Sequence, residues 1–162
     1  MSVLRPSALA LCALAFAAPA FAGEKTAGGD EFAMAAEACI DGLAQGANLA
    51  DSVTKAGWKE TGKNPFGTRY KHDGTSLAIV TSDMMGSPTC VVDGYSKQGE
   101  RDGLDETIEA RLAARFADQL TVNRSGPGAG FVVGDVIAIL SFENRSGGLS
   151  TRITAMSMAD EQ

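Results

Sequence analysis

The side chains with the strongest intrinsic chemistry in this chain are three cysteines, one histidine and six methionines. Cys39 and Cys90 lack the Cys-x-x-Cys spacing of a redox pair. Neither has histidine or cysteine neighbours that would complete a metal site. In an oxidising compartment two cysteines of a small domain pair, so a structural disulfide is expected. Closing a loop of this length stabilises a fold by roughly 4 kcal/mol in the chain-entropy account. His72 stands alone, beside the turn of "RYKHDG". A general base needs an orienting carboxylate and a nucleophile. Asp73 is adjacent, and adjacent strand residues face opposite ways, so His72 reads as an exposed, solvated residue. No Gly-x-Ser-x-Gly elbow occurs.

Four further patterns bear on chemistry. Asp102, Asp105, Glu106 and Glu109 gather where a helix should begin, and their fit to the positive end of the helix dipole accounts for them. A glycosidase would set its two acids in an aromatic-lined cleft, whereas this chain has one Trp and two Tyr. The run "GPGAG" (126–130) resembles a phosphate cradle, but Phe131 and Val133 stand where the third glycine of a dinucleotide fingerprint belongs. No helix follows to receive a phosphate, so a strand connection is expected. The two "NRS" triplets mark turns.

The fourth pattern is sulfur: Met84-Met85 in a Gly/Pro turn, and Met156 and Met158 two apart on a strand. Thioethers select Cu(I), which makes these four residues a speculative soft-metal set. Core and turn filling is the plainer account. No cofactor is expected.

The first 22 residues fix the compartment. One arginine, Arg5, precedes an apolar run shorter than the ~20 residues a spanning helix needs, and Pro19 interrupts it. Ala20-Phe21-Ala22 supplies the small residues of a signal-peptidase site, with polar Gly23-Glu24-Lys25 beyond. Leu11 before Cys12 argues against a lipidation site. The expectation is a cleaved signal over 1–22, export to a bacterial periplasm or beyond, and no later membrane span. The chain carries a net charge of −6. Without a basic cluster, an acidic domain has no footprint for nucleic acid.

The elements that must position these residues follow from hydrophobic period. After a flexible leader over 23–30 comes a helix over 30–46, capped by Asp30, with Phe32, Ala36, Cys39, Ile40 and Leu43 on one face. A short helix capped by Asn48 follows and stops at Gly57. Strands are expected over 58–62, 68–72, 75–82 and 89–95, with Asp73-Gly74 as a hairpin signal. The stripe Leu104, Ile108, Leu112, Phe116, Leu120 marks a third helix. About three more strands complete the domain, with a bend expected at Gly134-Asp135.

The expected fold class is α+β: one domain over 31–158, an antiparallel sheet packed against two N-terminal helices and one central helix. A frayed tail covers 159–162. With no catalytic constellation in view, the sequence points to a non-enzymatic binding module for an envelope protein or component. A small-ligand or copper carrier, or an enzyme with an unrecognised carboxylate site, is the alternative. Phe66, Tyr70 and Tyr95 are the aromatic candidates for binding anchors. Trp58, directly after the second helix, reads as sheet packing.

Overall fold

The computed structural model describes residues 25–46, 48–83, 86–96, 99, 101–124, 128–145 and 148–158. The signal segment with Cys12, the Met84-Met85 pair and the tail 159–162 lie outside them. Helices α1 (Gly29–Ala44) and α2 (Leu49–Lys55) precede strands β1 (Lys59–Asn64), β2 (Gly67–Lys71), β3 (Ala78–Ser82) and β4 (Thr89–Ser96). Helix α3 (Leu104–Phe116) and a 3₁₀ turn over Ala117–Gln119 then lead to β5 (Leu120–Asn123), β6 (Ala129–Val133), β7 (Val136–Arg145) and β8 (Gly148–Ser157). The fold is α+β, as the sequence indicates.

Local signals set most of the boundaries. The side-chain oxygen of Asn48 accepts from the Ala50 amide and caps α2. Helix α1 begins one residue before the expected Asp30. Its N-cap is Gly28, whose amide donates to the Glu31 carboxylate at 2.7 Å. Ala27 is buried and donates to the Tyr95 carbonyl at 2.7 Å, so the segment just before α1 is tied to the end of β4. Gly134-Asp135 turns the chain fully, and the bend expected there is the hairpin joining β6 to β7.

The strands form one eight-stranded antiparallel sheet in the order β1-β2-β3-β4-β8-β7-β6-β5. Two four-strand meanders thus meet at the centre, where β4 pairs with β8 from Thr89 opposite Met156 to Ser96 opposite Leu149. The outer strands carry their own protection. β1 is exposed along its length, bears Lys59 and Lys63, and has a register shift between Glu60 and Gly62; β5 is only four residues long.

The helices lie on one face of this sheet. Cys39 of α1 is joined to Cys90 of β4, and both are fully buried. Because strand residues alternate, that bond marks Val92 and every residue in register with it as helix-facing. One such row, Tyr70-Ile79-Val92-Ile153-Leu140-Ala129, crosses six strands and is buried throughout. Phe32, Ile40, Ile108 and Leu112 pack from the helices into the same core. Burying each such side chain contributes about 1.5–3 kcal/mol, which makes this layer the main source of stability.

Candidate functional site

Among the described residues no helix lies against the opposite face of the sheet. Its central row runs Arg69-Val80-Val91-Thr154-Ile139-Gly130-Asn123. The next row brings Thr89, Met156, Ile137 and Val132 alongside. Val80, Val91, Val132 and Ile137 are half-buried, while Ile139 is 48% and Met156 38% exposed. The result is an apolar band across β3, β4, β8, β7 and β6 with water on its outer side. Gly130, opposite Ile139, contributes no side chain, and a hollow of about 370 Å³ opens there.

Charge frames the band unevenly. Arg69 and Lys71 on β2 are exposed, and neither meets an ion-pair partner among the described residues. Across the sheet Arg152 donates to Asp93 at 3.3 Å, and the two cancel locally. Lys59 is paired with Asp73, and its ammonium group, through hydrogen bond and charge, holds the Asp73 carboxyl below its ordinary range. Unpaired positive charge therefore sits at the β2 end of the band.

The aromatic candidates separate. Phe66, in the turn between β1 and β2, is 66% exposed. Tyr95 is half-buried and shares the parity of Val91 and Asp93, hence the uncovered face. Tyr70 does not stand on the surface. It is 2% exposed, because its place beside Ile79 turns it into the helix-covered core. Trp58 is fully buried, and its ring centroid lies 5.5 Å from that of His72 at a 59° tilt. The Trp58 Nε1–H finds no acceptor among the described residues. His72 is half-buried rather than solvated, for the same reason: it packs on Trp58. Its Nδ1 lies 2.8 Å from the Asp73 carbonyl oxygen, to which it donates.

The second concave feature surrounds Phe66. A cleft of about 660 Å³ lies between the start of α2, the β1–β2 turn and the end of β3. Asn48, Asn64, Thr68, Thr81, Ser82 and Asp83 supply its polar lining, and Leu49, Pro65, Phe66 and Pro88 its apolar lining. Gly67 makes the close approach of β2 to β3 possible. Its φ is +138°, and a Cβ there would lie 2.1 Å from the Thr81 carbonyl oxygen.

The helix-start carboxylates meet a cation rather than a cleft. Arg124, just after β5, donates from Nε to Asp105 at 2.8 Å and from Nη2 to Glu109. That pairing keeps the Asp105 carboxyl below its usual range and raises the arginine further. An acid held low in this way is unsuited to donate a proton near neutral pH. Met156 and Met158 are both exposed, at the end of β8. Among the described residues no group of three or more His, Cys, Asp or Glu side chains is placed to hold a metal ion.

Phe66 is legible in the sequence as an exposed aromatic candidate, but the cleft around it is not, since its walls come from four separated segments. The Asn48 cap and the Asn64-Pro65 turn were its only local signals. Against protein families, curated proteins and solved structures, the chain matches none.

Proposed function

We propose that this protein is an exported, disulfide-stapled binding module that docks an envelope protein through the uncovered face of its sheet. The supporting observation is the apolar band itself. Valine, isoleucine and methionine side chains on one face are half-buried or exposed, while α1 and α3 pack against the other. A sheet that needed only stability would carry polar residues there, because antiparallel sheets alternate apolar-in and polar-out. Contiguous exposed apolar surface marks interaction sites.

The partner's chemistry follows from the frame of the band. Among the described residues Arg69 and Lys71 have no ion-pair partner at one end of it, in a chain of net charge −6. They fit an apolar protein surface rimmed by acidic groups, which they would steer and orient. The Cys39–Cys90 bond and the signal-like first 22 residues support action outside the cytoplasm. The absence from the sequence of a nucleophile–base pair and the pairing of Asp105 and Glu109 with Arg124 favour binding over catalysis.

The test is a photo-crosslinking residue placed at Ile139 and, separately, at exposed Ala114 on α3, in intact cells. The reading requires a discrete crosslinked protein from position 139, lost when Arg69 and Lys71 are both replaced by Glu. Equal crosslinking from both positions, or none from 139, overturns it.

A further inference from the structure

The cleft around Phe66 lies beyond the β3 end of the band, where Ser82 pairs with Thr89, and its chemistry is different. Its volume of about 660 Å³ falls in the range of small-molecule sites. Its polar lining is neutral apart from Asp83, so it offers nothing to a phosphate or other anion. Much of the hydrogen-bonding capacity is unspent. Asn48 and Asn64 each use the side-chain oxygen on a backbone amide, those of Ala50 and Phe66, which leaves both NH₂ groups as donors. The Asp83 carboxylate has no ion-pair or hydrogen-bonding partner among the described residues. Donors from amides, acceptors from a carboxylate and hydroxyls of Thr68 and Ser82 thus stand around one open aromatic ring.

From this arrangement we infer that the Phe66 cleft binds a neutral saccharide. Vicinal hydroxyls both donate and accept, as the Asn, Asp and hydroxyl lining requires. The C–H face of a pyranose covers an aromatic ring, and Phe66 presents such a ring to solvent. A purely apolar ligand would strand the polar lining without partners. A peptide strand would seek an unpaired backbone edge. β2 and β3, which form the floor, each have a strand on both sides. The site would hold one or two sugar units of an envelope glycan independently of whatever the sheet face docks.

The experiment is a nuclear magnetic resonance titration of the purified, isotope-labelled protein. The probes are chitotetraose, maltotetraose and a neutral acetylated tetrapeptide amide, each raised to about 10 mM, where even weak sites fill. The inference expects saturable shifts with a saccharide, centred on Asn48, Asn64, Phe66 and Asp83 and absent around Ile139. Phe66→Ala should weaken that binding about tenfold or more. Since Phe66 is exposed, this variant should keep the wild-type spectrum elsewhere, and Asp83→Asn provides a second variant that should also weaken binding. No saturable shift with either sugar, unchanged affinity in both variants, or preference for the tetrapeptide overturns the inference. None of these outcomes bears on crosslinking from position 139.

Discussion

Two neighbouring rows of the same sheet have opposite fates. Tyr70, Ile79, Val92, Ile153, Leu140 and Ala129 lie under the helices and are at most 4% exposed. One residue along each strand, Arg69, Val80, Val91, Thr154, Ile139 and Gly130 face outward, and Ile139 is 48% exposed. Both rows are rich in β-branched residues, so composition does not separate them. What separates them is cover: the disulfide holds α1 to β4 on one side, and no helix among the described residues reaches the other. An apolar row under helices stabilises the fold, whereas the uncovered apolar row is the surface we propose for contact.

Perturbations that break the comparison differ in size. Replacing both Cys39 and Cys90 by Ala should cost roughly 4 kcal/mol, read as the loss of unfolding free energy in urea. A loss under about 1 kcal/mol would mean that helix packing alone fixes α1 over β4. Ile153→Ala, in the covered row, should cost about 2–5 kcal/mol. Ile139→Ala, on the same sheet but facing outward, should cost under about 1 kcal/mol by the same assay. Equal losses at these two positions would remove the distinction between the faces.

Charge gives a smaller effect. The Arg124 clamp joins α3 to the strand that follows it, through Asp105 and Glu109. The folded-state Asp105 carboxyl is held low, so the stabilisation it contributes is present above the ordinary carboxylate value of about 3.9 and is lost as pH falls through its lowered value. Arg124 is well exposed and Asp105 partly so, and solvent screening keeps the effect slight. The difference in urea midpoint between wild type and Arg124→Ala should be constant above about pH 5 and shrink below about pH 4. A difference that grows on acidification would show that the clamp does not act through ionised Asp105. Smallest of all, Phe66→Ala should leave the thermal midpoint unchanged within about 1 °C, since its ring is already in water.

The same contrast explains what the sequence could reveal. Short-range signals were legible: the Asn48 cap, the Asp73-Gly74 turn, the Leu104-Ile108-Leu112 stripe, and a disulfide that needed only two cysteines. Long-range pairing was not. Tyr70 could be placed as buried only by knowing that it stands opposite Ile79, because alternation fixes which residues share a face but not which face is covered. The pairing of β4 with β8 joins strands more than fifty residues apart, and no local pattern encodes it. Arg124 lies far enough from Asp105 that the helix-dipole argument sufficed without it. The Phe66 cleft was hidden for the same reason.

The most direct test of the whole account is Ile139→Asp, made with a photo-crosslinker at Met156 and assayed in intact cells beside its melting curve. A charge at position 139 should leave the thermal midpoint within about 2 °C of the parent, because no core contact is lost. It should also abolish the crosslinked partner, because the band is no longer apolar. A retained crosslink, or a protein that no longer folds, would contradict the claim that this face serves binding and the other serves stability.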